Sequence, residues 1–160
     1  MSDTKKGDIV TPNSADQIGA ILFACNINAV RSAMAETMVK DAFPGKIFVD
    51  SCGVTPGIQD GFATAVMQEI GLDMSAHRPK SFDDLDSGFY DVIISFSPEA
   101  HAAAEALTQN MDCTTFYWPV DNLANLTGSR EEMVRAYRHV RDDIRNKLSV
   151  YFGKPIAGNT

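Results

Sequence analysis

The residues most able to do chemistry lie in one stretch, Cys25-Asn26-Ile27-Asn28-Ala29-Val30-Arg31-Ser32. An apolar run ends at Cys25 and helical spacing begins near Arg31, so the residues between them turn the chain from a strand into a helix. Such a loop aims the backbone N–H groups of Asn26, Ile27, Asn28, Ala29 and Val30 at one point, together with the positive end of the helix dipole, and this favours an anion. The same field favours a thiolate, so Cys25 is expected to be ionised at neutral pH, below the ~8.5 of a free cysteine. Arg31 contributes a planar fork that holds two oxygens of a tetrahedral anion, a geometry lysine does not reproduce. Ser32 is placed to donate its hydroxyl hydrogen to the Cys25 sulfur. The chemistry is nucleophilic attack by sulfur on a bound oxyanion. The plainer alternative is a buried cysteine that ends a strand and an arginine that opens a helix, spaced by chance.

The positioning elements follow from periodicity. Ala20 to Cys25, Ile47 to Ser51, Asp91 to Phe96 and Thr114 to Trp118 are short apolar runs that read as buried parallel strands. Between them, Val30, Met34, Met38 and Ala42 share one helical face, and Phe62, Val66 and Ile70 share another that Gly71 closes. Ser97-Pro98-Glu99 is a helix start, with an N-cap and then proline at N1. Ser129 and Glu132 form a capping box ahead of a stripe from Met133 through Tyr137, Val140, Ile144 and Leu148 to Tyr151. Strand and helix alternate about four times. That order predicts an α/β fold, a single-domain doubly wound four-stranded parallel sheet flanked by helices, with its ligand at the carboxyl ends of the strands. The domain is expected over residues 18–152, with loose tails at 1–17 and 153–160.

The stretch Ile21 to Glu36 resembles the phosphate loop and first helix of the low-molecular-weight protein tyrosine phosphatases. Asp50-Ser51-Cys52-Gly53, Gly71-Leu72-Asp73-Met74-Ser75-Ala76-His77-Arg78 and Tyr90-Asp91-Val92-Ile93-Ile94 resemble further segments of that family, so the likeness covers about residues 20 to 150. The phosphatase-like arsenate reductases share its fold. The resemblance implies that Cys25 is the nucleophile, Arg31 the phosphate clamp and Ser32 the thiolate stabiliser, with Asn28, Ser51 and His77 in a hydrogen-bond network that supports the loop. It also implies a carboxylic acid in the loop after the fourth strand, where the family carries Asp-Pro and this chain has Trp118-Pro119-Val120-Asp121-Asn122-Leu123. Asp121 is the carboxylate there and is assigned as general acid and then base; a register that puts Asn122 at the acid position would leave the loop without a proton donor. Ser97 stands where eukaryotic members often carry an aspartate. Thr55-Pro56-Gly57 brings no aromatic ring to flank a phenyl group, which leaves Tyr117 and Trp118 to line the mouth.

The implied activity is hydrolysis of phosphate monoesters, protein phosphotyrosine among them, through a phosphocysteine. The partners are a phosphorylated protein or small phosphate ester and inorganic phosphate or a similar oxyanion, with no cofactor and no metal. A first rival is arsenate reduction with an external thiol, since the stretch from Ser95 to Met111 holds no cysteine to resolve the adduct within the chain. A second is a catalytically weak oxyanion-binding module. At 160 residues and a formal charge of −7 the chain suits one domain and lacks the basic stripe that nucleic acid needs. No apolar run approaches the ~20 residues that cross a bilayer, and Met1 to Asn13 has no secretory apolar stretch, so a cytoplasmic protein with three reduced cysteines is expected.

Overall fold

The structure, a computed structural model, describes residues 18–85 and 89–158; the expected tail at 1–17 lies outside them. The elements run β1 (Ala20–Ile27), α1 (Arg31–Ala42), β2 (Phe48–Thr55), α2 (Gly61–Gln68), β3 (Val92–Ser95), α3 (Pro98–Leu107), β4 (Thr114–Tyr117) and α4 (Arg130–Phe152), with a short 3₁₀ turn at Phe82–Asp84. The four strands form one parallel sheet in the order β2-β1-β3-β4. β1 is thus central, and the chain leaves it toward one edge through β2 and toward the other through β3. The loop after β1 therefore opens at the point where the order reverses, which is where such sheets bind ligands.

Alternation along β1 builds both faces. Ile21, Phe23 and Cys25 face the layer of α1, α2 and α4, while Leu22 and Ala24 face α3 through Ala100 and Ala104. All five β1 side chains are fully buried, and burying a side chain the size of Phe23 or Leu22 stabilises the fold by about 1.5–3 kcal/mol. β1 and β2 run two or more residues past their apolar runs because their ladder continues to Ile27 and Thr55. Gly53 permits that extension: a Cβ there would lie 2.6 Å from the Asn28 nitrogen, so only glycine lets β2 approach the loop backbone.

The helix ends follow the sequence closely. Ser97 Oγ accepts from Ala100 N–H with Pro98 behind it. Ser129 and Glu132 complete a reciprocal capping box, and Gly153, in the left-handed region at φ 68°, ends α4. After that turn the chain folds back, so Ile156, in the segment expected as a tail, is fully buried in the core. Val30 is the N-cap of α1, half-buried against the same core as Met34 and Met38. Among the described residues no helix is long and apolar enough to cross a membrane.

Candidate active site

The site begins with Cys25 at the buried end of β1. Its Sγ lies 2.9 Å from Ser32 Oγ, at the start of α1. Ser32 Oγ accepts from Asn28 Nδ2 at 2.8 Å, and its own hydrogen has two acceptors, the sulfur and the Cys52 carbonyl at 3.3 Å. The same Asn28 amide donates to Ser51 Oγ at 2.9 Å, and its Oδ1 accepts from Lys80 N–H at 3.1 Å. Ser51 Oγ donates in turn to Glu36. His77 Nε2 stands 2.9 Å from the Asn28 carbonyl, so it carries the proton, and Nδ1 faces Glu36 at 3.7 Å. Asn28, Ser51 and His77, expected together from the resemblance, are thus joined around the loop. His77 supports backbone in this arrangement.

Glu36 was not singled out by the sequence reading, yet it terminates this chain of hydrogen bonds and also pairs with Lys40. The signal was a carboxylate four residues after Ser32, one turn further along the same face of α1. Only 7% of Glu36 is exposed, and a carboxylate buried to that extent needs partners.

Arg31 is 5% exposed. Its Nη1 donates to the carbonyls of Phe96 (3.1 Å) and Val120 (3.0 Å), anchoring the guanidinium between the ends of β3 and β4. Nε and Nη2 have no hydrogen-bond partner among the described residues, so one edge of the fork remains for a bidentate anion.

Two cavities flank the guanidinium. One, of about 450 Å³, runs between the loop residues Ile27 and Val30, the β2–α2 segment at Ile58, Leu123, and Tyr137 of α4. The other, of about 340 Å³, is lined by Asn26, Ser97, Glu99, Tyr117 and Asp121. Asn122 borders both. Burial lowers the Arg31 guanidinium below its ordinary value, and the nearby Cys25, Glu99, Tyr117 and Asp121 act against that shift. Of the two aromatics expected at the mouth, Tyr117 lines the smaller cavity, whereas Trp118 is fully buried against Phe96 and Tyr151. The aromatic that borders the larger cavity is Tyr137, whose hydroxyl donates to Asp60 at 2.7 Å; burial and that carboxylate hold its phenol above its ordinary value.

One expectation is corrected. The Cys25 thiol is pushed up, not down: burial outweighs the hydrogen bonds with Ser32 and the nearby Arg31 charge. The sulfur is fully buried and donates to the Ile27 carbonyl at 2.9 Å, a contact that suits the thiol. Cys52 lies on the opposite face of the sheet, beside Ala24, with burial raising its thiol. Cys113 stands ahead of β4, pushed up to about 11 by burial and by Asp91 and Asp112.

The sequence profile of low molecular weight phosphotyrosine protein phosphatases matches residues 20–154. A glutaredoxin arsenate reductase of Synechocystis sp. is 37% identical over 75 residues, which cover 47% of this chain and 57% of that relative's length. An arsenate reductase of Halalkalibacterium halodurans is 28% identical over 82% of this chain and 93% of its own. The tyrosine phosphatase amsI of Erwinia amylovora superposes with a TM-score of 0.70 at 17% identity, over 85% of this chain and 92% of that one, a likeness of fold.

Proposed function

The chain belongs to the low molecular weight phosphotyrosine protein phosphatase family, and from that premise we propose that it hydrolyses phosphate monoesters, protein phosphotyrosine among them, through a phosphocysteine on Cys25. The observation that carries the reading is the pairing of Cys25 Sγ with Ser32 Oγ at 2.9 Å beside a guanidinium that keeps one donor edge uncommitted. The bound phosphate ester dianion takes the Cys25 proton, the thiolate attacks phosphorus, the ester oxygen leaves with a proton from Asp121, and the Arg31 fork with the loop amides holds the transferring oxygens. Water then attacks the phosphocysteine as the Asp121 carboxylate takes its proton. The departing thiolate is met by the Ser32 hydroxyl, whose hydrogen turns to the sulfur.

A second reading, arsenate reduction, is favoured by the relatives named arsenate reductase. There the Cys25–arsenic adduct is attacked at sulfur by an external thiol, which releases arsenite and leaves a mixed disulfide on Cys25; the electron pair comes from the two sulfurs. Rapid-mixing kinetics with p-nitrophenyl phosphate, alongside arsenite measurement with arsenate and glutathione, tests both. Sustained turnover after a stoichiometric burst, absent in Cys25→Ser, is expected. Thiol-dependent arsenite without ester turnover would replace the phosphatase reading, and ester turnover retained by Cys25→Ser would exclude the covalent route.

A further inference from the structure

The loop has one feature that an oxyanion cradle does not tolerate. An anion above Cys25 needs hydrogen-bond donors turned toward it, yet the Ile27 carbonyl, an acceptor, stands 2.9 Å from Sγ. The same oxygen takes the Ala29 N–H at 2.7 Å, which removes a second donor from the cradle. The Asn28 nitrogen of that peptide instead lies against Gly53, where a Cβ would be 2.6 Å away.

The surroundings separate what is fixed from what can turn. The Asn28 side chain is held by Ser32, Ser51 and Lys80, and its carbonyl by His77. Among the described residues the Ile27 carbonyl accepts only from its neighbours Cys25 and Ala29, and the other end of that peptide, the Asn28 N–H, is held by the last rung of the β1–β2 ladder at Thr55. The Ile27 side chain adds an anchor, for it rests on the bare backbone of the β2–α2 segment: a Cβ on Gly57 would lie 2.1 Å from Ile27 Cγ2.

We propose that the Ile27–Asn28 peptide is a gate on the oxyanion site, closed while the Ile27 carbonyl caps the Cys25 thiol and the Ile27 side chain sits on Gly57. Turning the peptide swings the carbonyl out, frees the Ala29 N–H and takes the Asn28 N–H from the Thr55 end of the ladder to the anion. Closed, the sulfur is a protonated, fully buried thiol, which agrees with the burial that raises it. Open, it faces donors and the Arg31 fork. The inference rests on the reading that this loop takes an oxyanion, and it adds that the resting chain withholds both nucleophile and cradle, so apparent affinity is reduced by the open fraction.

Ile27→Gly removes the anchor and Gly57→Ala displaces it, so both shift the population toward the open state. Two readouts are made on the full chain: the rate of Cys25 alkylation by iodoacetamide, followed on its own peptide by mass spectrometry, and the affinity for inorganic phosphate by calorimetry. Each variant is expected to alkylate about tenfold faster and to bind phosphate about tenfold tighter, a factor equivalent to ~1.4 kcal/mol. Unchanged rates and affinities in both variants would overturn the gate. Faster alkylation with no phosphate bound by any of the three proteins would support the cover over Cys25 and overturn the oxyanion site beneath it.

Discussion

Replacing Asn28 by alanine tests whether the site is held by its hydrogen bonds or by packing alone. The side chain is fully buried and makes three hydrogen bonds, to Ser32, Ser51 and the Lys80 N–H. At about 1 kcal/mol net for each, the loss is about 3 kcal/mol. For a domain of this size each kcal/mol lowers the melting temperature by about 2–4 °C, so a fall of roughly 6–12 °C is expected by calorimetry. Asn28→Asp keeps the shape but replaces two donated bonds with an acceptor aimed at Ser32 and Ser51, and adds a buried charge near Glu36; it should be at least as unstable. Catalysis should suffer beyond stability, because an unanchored Ser32 no longer presents its hydroxyl to the sulfur, and kcat should fall more than phosphate affinity. An Asn28→Ala protein within about 1 kcal/mol of wild type, or an Asn28→Asp protein as stable as wild type, would refute the reasoning.

Arg31→Lys leaves one ammonium to serve both the Phe96 and Val120 carbonyls and the anion, so kcat/KM should drop at least about 100-fold, or ~2.7 kcal/mol; kinetics near wild type would contradict the clamp. Asp121→Asn should slow phenyl phosphate more than p-nitrophenyl phosphate, whose leaving group needs less help from a proton. Equal slowing would remove Asp121 as the acid. Away from the site, Arg138 and then Arg141 hold the Glu69 carboxyl down to about 2. The unfolded chain protonates this group first, so its stabilisation is complete above the ordinary 4.5, declines below it, and is lost as pH falls through about 2. Glu69→Gln should therefore flatten the fall in melting temperature over that window, and an unaltered acid limb would show the pair contributes nothing.

The architecture was legible because the strands are apolar on both faces and the helix ends carry their own chemistry. Ser97-Pro98, Ser129 with Glu132, and Gly71 each mark a boundary that backbone hydrogen-bonding needs would set anyway. Strand lengths were less legible, since Asn26, Ile27 and Cys52-Gly53 continue the ladder without an apolar pattern, and that depends on β1 and β2 being neighbours. Cys25, Arg31, Ser32 and Asn28 could be named from one short segment because a single loop positions them. Glu36, Tyr137 and Asp60 could not, because they reach the site from a helix interior and from elements distant in sequence. The protonation of Cys25 was misjudged for a related reason: the dipole and arginine were visible in the sequence, whereas full burial under the Ile27 carbonyl depends on how Gly57 and Gly53 let the backbone pack.

The same geometry bears on the choice between hydrolysis and reduction. Both chemistries need Cys25 and the Arg31 fork, and they diverge at the second step. Hydrolysis needs a base near the adduct; reduction needs a second sulfur that reaches Cys25 in line. Cys52 is on the neighbouring strand, but its side chain leaves the sheet by the other face. Cys113 precedes β4, at the end of that strand opposite the loop. Neither thiol approaches Cys25 without taking the sheet apart, so a reductase built on this chain has to draw its thiol from solution. The loop after β4, in contrast, already sets Asp121 beside the cavity that Arg31 lines. On the proposed reading, the second step of hydrolysis uses Asp121, a group on the chain itself, whereas reduction has to import its thiol.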